Sequence, residues 1–133
     1  MGANINQKAK HEVTPLHSAI QFNQIEIAQT LINLGADIEC QKVIKETPLI
    51  LAARRGNSSM CEILIGKGAN KDAQDKWNRT SLHRANSKDH PEVVRILLEC
   101  GASQNIKNNE GDKVLESSLK DKKFNIFKTI MYH

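Results

Sequence analysis

The sequence predicts an all-α solenoid of four stacked helix pairs, and two observations carry that prediction. The first is a period. Thr14-Pro15-Leu16-His17 returns as Thr47-Pro48-Leu49-Ile50 and as Thr80-Ser81-Leu82-His83, a step of 33 residues that Gly2, Gly35, Gly68 and Gly101 also keep. Self-similarity at such an interval marks a repeat array, in which each copy buries its apolar face on the next. The second is composition: aromatics are 4% of the 133 residues, and Leu, Ile, Val and Ala supply most of the 39% that is hydrophobic. Thin repeated layers need few large side chains, whereas a single thick core would be short of them.

Each element follows from local chemistry. Thr14, Thr47 and Thr80 are suited to N-cap a first helix, and Pro15 and Pro48 occupy its first position, where a missing N–H costs nothing. Leu16, Leu49 and Leu82 share a face with Ala19, Ala52 and Ala85, whose small side chains let a neighbouring helix approach. Asn23, Gly56 and Asp89 then recur where that helix must stop, and all three residue types tolerate a left-handed conformation. A second helix carries Ile27, Leu31, Ile32; Met60, Leu64, Ile65; or Val93, Leu97, Leu98, and closes at Gly35, Gly68 or Gly101. Its third copy opens on Asp89-His90-Pro91-Glu92, read as a cap, a proline in the first turn and a dipole-matched carboxylate. A fourth, degenerate copy has Lys113-Val114-Leu115-Glu116 in the motif slot and Ile126, Phe127, Ile130 and Met131 on its second helix. Lys113, Lys120, Lys122, Lys123 and Lys128 around that stripe suit a C-terminal capping repeat. The expectation is one domain over 1–133: a finger at 2–13, repeats at about 14–46, 47–79 and 80–112, and the cap at 113–133.

Several function classes are excluded. The longest apolar run, Leu49 to Ala53, is far below the roughly 20 residues of a membrane-spanning helix. Cys40, Cys61 and Cys100 are odd in number and lack metal-ligand spacing, so no disulfide framework, metal or cofactor is expected. The chain contains no Gly-rich phosphate loop and no nucleophile elbow, so catalysis is not expected either. A net charge of +4 is too small to imply nucleic acid by itself. A cytoplasmic or nuclear location is expected, as is an origin at the C-terminal end of a longer array, with the isolated chain a monomer.

The TPLH motif, the GAD and GAN turns (Gly35-Ala36-Asp37, Gly68-Ala69-Asn70) and the 33-residue step resemble the ankyrin repeat family over residues 2–133. The resemblance implies antiparallel helix pairs joined by extended β-hairpin-like fingers. It also implies a non-enzymatic protein-interaction module or scaffold that binds through finger tips and the concave face of the first helices. His17 and His83 then bond locally around the helix start, and Asn6 and Asn105 occupy the finger slot where ankyrin asparagines can be hydroxylated.

On those slots the copies differ. Finger tips two and three hold Val43-Ile44 and Lys76-Trp77 where turn chemistry favours Asn, Asp or Gly, and tryptophan is enriched at binding hot spots. The chain has 14 lysines and only five arginines, yet Arg54, Arg55, Arg79 and Arg84 all fall on contact slots of the middle repeats. Arginine's rigid fork suits carboxylates and phosphates. Val43, Ile44 and Trp77 are therefore read as apolar anchors, and Arg54, Arg55, Arg84 and Lys88 as a cationic floor, for an acidic partner segment, with Arg79 a further partner-binding residue. Three plainer alternatives stand beside this: Glu46 and Asp89 pairing with the arginines, Trp77 packing on its neighbouring finger, and the array serving only as a spacer. A fourth is a nucleotide or short RNA stacked on Trp77.

Overall fold

The computed structural model describes residues 5–7, 13–42 and 44–132, with eight helices and no strand among them. In chain order these are α1 (Pro15–Gln21), α2 (Ile25–Asn33), α3 (Pro48–Arg55), α4 (Ser58–Gly66), α5 (Ser81–Ser87), α6 (Pro91–Glu99), α7 (Val114–Lys120) and α8 (Phe124–Met131). They pair α1 with α2, α3 with α4, α5 with α6 and α7 with α8. The first helices form one layer, each packed on the next, and the second helices form the other. No described helix is long and apolar enough to cross a membrane.

The caps explain the helix starts. Thr14, Thr47 and Thr80 each accept a hydrogen bond on Oγ1 from the N–H three residues on, at 3.3 Å in all three copies. Pro15 and Pro48 lie in the first turns. Asn23, Gly56 and Asp89 have φ of 56°, 72° and 61°, the left-handed stops expected of them. Asp89 is therefore a turn residue and does not cap α6: the N-cap is His90, without a side-chain capping bond. His90 instead reaches back to repeat two, where its Nε2 donates to the Arg54 carbonyl at 3.0 Å and its ring covers Gly56. A Cβ at Gly56 would stand 2.5 Å from that ring, so it is the contact that calls for glycine where the other copies carry Asn23 and Asp89 at similar φ.

Motif histidines tie the first and third helix pairs to the finger that follows each. His17 and His83 place Nε2 at 3.0 and 3.1 Å from the carbonyls of Glu46 and Asp112. Ile50, buried in the same slot of repeat two, makes no such bond. The fingers themselves are tight turns closed by backbone bonds from Lys42 to Glu46, Asp75 to Arg79 and Asn108 to Asp112, at 3.2, 2.9 and 2.9 Å. Side chains of Asn6, Glu39 and Asp72 then accept from the N–H groups of Asp37, Asn70 and Ser103, each at 2.8 Å, linking consecutive fingers. One continuous core of Leu, Ile, Val, Met, Ala and Cys side chains runs the length of the stack.

Candidate functional site

Finger three is organised by Asp75, a buried side chain that no motif singled out. Its Oδ1 accepts the N–H groups of Trp77 and Arg79 at 2.9 and 3.0 Å, and its Oδ2 accepts Arg79 Nε at 3.0 Å. The guanidinium so held stands 4.7 Å from the centroid of the Trp77 ring, and the Lys76 ammonium 5.9 Å from it. The Trp77 ring packs on Arg79 of its own finger, and 36% of its surface stays open. Asp75 was legible in principle, because Asn108 stands in the equivalent slot and organises the next finger in the same way, accepting from Glu110 and Asp112 at 2.9 and 3.0 Å.

Finger two is closed by charge. Glu46 is fully buried and receives Arg54 Nε and Nη2 at 2.7 and 3.2 Å and Lys42 Nζ at 3.1 Å. Burial acts to raise the Glu46 carboxyl, but the hydrogen bonds and charges of Arg54 and Lys42 outweigh it and hold the group below its usual range. Arg54, placed on the cationic floor by its slot, is therefore occupied within the chain. Ile44 is half-buried, and its carbonyl accepts Lys76 N–H at 2.8 Å, which joins the tips of fingers two and three. Val43 lies outside the described residues.

Arg84 has no such partner. It is half-buried in α5, and among the described residues it makes neither an ion pair nor a side-chain hydrogen bond, with its Nε buried and unpaired. Burial, then the Arg79 and Arg54 charges, lower its pKa, while the Glu46 and Asp75 carboxylates act to raise it; those two carboxylates are themselves paired with Arg54 and Arg79. The imbalance extends along the helix. Every buried side-chain polar atom found without a partner among the described residues belongs to α5: Ser81 Oγ, Arg84 Nε, and both Nδ2 and Oδ1 of Asn86.

Other predicted residues lie elsewhere. Arg55 is exposed at the last turn of α3 and lines a cleft of about 350 Å³ with Ile20, Asn23, Ile25, Asn57 and Ser58, toward repeat one. Lys88 is exposed at the C-cap of α5. Neither makes an ion pair among the described residues, and Asp89 pairs with no arginine there. Of the expected floor, Arg54 is taken up by Glu46 and Arg84 is half-buried in α5, while Arg55 and Lys88 lie exposed at helix ends. Asn6 belongs to the finger-to-finger ladder, while Asn105 lies in the finger after repeat three and is exposed.

Nothing in the remaining polar clusters supports chemistry. Thr14 Oγ1, His17 Nδ1 and Cys40 Sγ meet at 2.8 to 3.7 Å, a Cys–His contact that spacing did not reveal, but all three are buried beneath the finger. Burial, with Glu62 adding to it, pushes the Cys61 thiol up to about 12, which leaves it unreactive. Among the described residues no three His, Cys, Asp or Glu side chains gather as a metal site requires.

Comparison with known families agrees with this architecture. The family model for ankyrin repeats in three copies matches residues 35–108, and the model for a single ankyrin repeat matches 11–42. The fourth helix pair lies beyond both matches, as its degenerate motif would lead one to expect. No curated protein matches the chain. Threonine caps, left-handed stops, histidine ties and these matches together make the chain a member of the ankyrin repeat family, whose arrays are generally non-enzymatic and bind other proteins.

Proposed function

We propose that the array is a protein-recognition module whose partner presents an acidic segment with apolar residues to the finger-side face of repeats two and three. Arg84 receives the carboxylate, and Ile44, Val43 and the open part of Trp77 receive the apolar side chains. The observation that carries this reading is the isolation of Arg84: a half-buried guanidinium that, unlike Arg54 and Arg79, pairs with no carboxylate among the described residues. A guanidinium held this way loses hydration without gaining a partner, and a carboxylate from outside would supply one. Arg79 serves by stacking on Trp77, and Arg54 by fixing finger two. Arg55 and Lys88 contribute long-range attraction of an acidic segment. Protein is favoured over a nucleotide or RNA because Arg79 already stands over the Trp77 ring that a base would need.

The test uses labelled peptides of Asp and Glu interspersed with Leu and Phe, with binding read by fluorescence anisotropy. Arg84→Ala is expected to weaken binding about tenfold or more and Arg55→Ala only about twofold. Equal losses from the two variants, or no loss from Arg84→Ala, would move the site elsewhere. Trp77→Ala should lower affinity as well, with helical circular dichroism unchanged.

A further inference from the structure

Large apolar side chains are exposed mainly at the two ends of the stack: Phe22, Ile27 and Leu34 in the first helix pair, and Leu119, Met131 and Tyr132 in the fourth, with Trp77 alone between them among the described residues. The slots of Phe22, Leu34 and Tyr132 are exposed in every described copy, but for Ile27 and Leu119 the repeat register shows a difference at the ends. The slot of Ile27 holds Met60, Val93 and Ile126 in the next three copies, and those three are buried whereas Ile27 is 50% exposed. A slot buried in every copy but the first is one that the preceding repeat covers. Leu31 follows the same rule, half-buried where Leu64, Leu97 and Ile130 are buried. The slot of Leu119 behaves in reverse. Ile20, Ala53 and Asn86 are buried there, while Leu119 is 47% exposed, so this slot is covered by the following repeat. Met131, 52% exposed, stands in the slot of Ile32, Ile65 and Leu98, which are half-buried or buried.

The ends therefore display the two complementary halves of one junction, a junction the chain forms three times within itself. The geometry points to a second copy as the occupant: we propose that the 133-residue chain associates head to tail, with the Leu119 and Met131 face of one molecule stacked on the Ile27 and Leu31 face of the next. Exposed Lys122 and Lys128, with Lys120 held by Asp112, belong to the fourth helix pair and exposed Glu26 to the first, so the two ends carry groups of opposite charge near their apolar residues. Because the two faces differ, the contact is heterologous, and repeated addition makes an open chain of molecules instead of a closed dimer. This departs from the expectation of an isolated monomer and is independent of the partner-binding face.

Sedimentation equilibrium of the 133-residue chain tests it. Apparent mass should climb above 14.9 kDa with concentration and reach no plateau at two copies. Ile27→Asp and Leu119→Lys should each give a monomer, with helical circular dichroism retained because both side chains are half in solvent. An equimolar mixture of the two variants should form a dimer and stop there, since Ile27→Asp keeps an intact Leu119 face and Leu119→Lys an intact Ile27 face. A wild-type chain that stays monomeric, a single variant that still associates, or a mixture that stays monomeric would overturn the proposal. The first of these would leave the end faces to another occupant.

Discussion

Helices α3 and α5 hold equivalent places in consecutive repeats and are built on opposite chemistry. In α3, residues 48–53 are Pro, Leu, Ile, Leu, Ala and Ala, all buried, and the arginine that follows is answered by Glu46. In α5 the same slots hold Ser81, Leu82, His83, Arg84, Ala85 and Asn86, and three of these bury polar atoms that nothing in the described residues satisfies. Each such atom costs about 1–3 kcal/mol. The sequence available to relieve that cost stands one repeat earlier, so the departure is local to α5 and is no property of the fold. α3 closes its polar groups within the stack, whereas on the function proposed above the unpaired groups of α5 are the ones a partner completes.

The comparison breaks most visibly if α5 is rewritten as α3. The triple variant Ser81→Pro, Arg84→Leu, Asn86→Ala should raise unfolding free energy by about 3 kcal/mol, measured by urea denaturation. It should also abolish acidic-peptide binding. A variant less stable than the parent would mean that these atoms are satisfied in solution and that α5 is not strained. The reverse experiment opens the closed repeat. Glu46→Gln leaves Arg54 and Lys42 without their carboxylate and should cost about 2 kcal/mol in the same assay, the part-exposed Arg54 keeping the loss below that of a fully buried pair. An effect within experimental scatter would show that finger two does not depend on the pair.

Acidification separates the two repeats on one axis. His83 belongs to repeat three and is held neutral: burial lowers its pKa, against the opposing effect of its bond to Asp112. Thr80 N–H donates to His83 Nδ1 at 3.2 Å, so the proton sits on Nε2 and is given to the Asp112 carbonyl. With the folded pKa below the unfolded one, the unfolded chain binds the proton first, and stability falls as pH drops below the ordinary imidazole value of 6.5. Glu46 in repeat two is also lowered, so its contribution is complete above the ordinary 4.5 and is lost as pH falls through the folded value. Stability followed by urea denaturation should fall in two steps as pH is lowered. His83→Ile, which copies the residue repeat two carries at Ile50, should remove the upper step and leave the lower one, while Glu46→Gln should do the opposite.

Most of the fold could be read from the chain because its signals are local and repeated. A threonine cap, a proline in the first turn and a residue able to take positive φ act within a few positions, and their recurrence from copy to copy leaves little ambiguity. The site was only half legible. Slot arithmetic gathered Arg54, Arg55, Arg84 and Lys88 into one floor, but a slot says which side of a helix a residue occupies and not which carboxylate lies in reach. Glu46 claims Arg54, Asp75 claims Arg79, and Arg55 and Lys88 end up at helix C-termini, so Arg84 alone combines partial burial with no partner. Asp89 misled for a related reason: its residue type suits both a cap and a left-handed turn, and the backbone uses it for the turn. His90's bond to Arg54 spans 36 residues, and no local pattern announces it.

The smallest expected effect concerns the turn that closes each finger. Two residues before the motif, Lys45, Asn78 and Gly111 share positive φ, at 59°, 60° and 83°. Asparagine and glycine adopt that conformation readily, whereas lysine brings its Cβ against the following carbonyl at a cost of about 1 kcal/mol. Glycine removes the clash and adds some unfolded-chain entropy, so Lys45→Gly should stabilise the array by about 0.5 kcal/mol. Lys45 is exposed and makes no ion pair among the described residues, so nothing in the folded chain offsets the gain. Asn78→Gly is the matched control and should change little. If Lys45→Gly gained stability and also lost affinity for an acidic peptide, the strained lysine would belong to the recognition face with Ile44, and finger two would join α5 as a place where the array gives up stability for binding. Gain without loss of affinity would restrict the strained positions of the recognition face to α5.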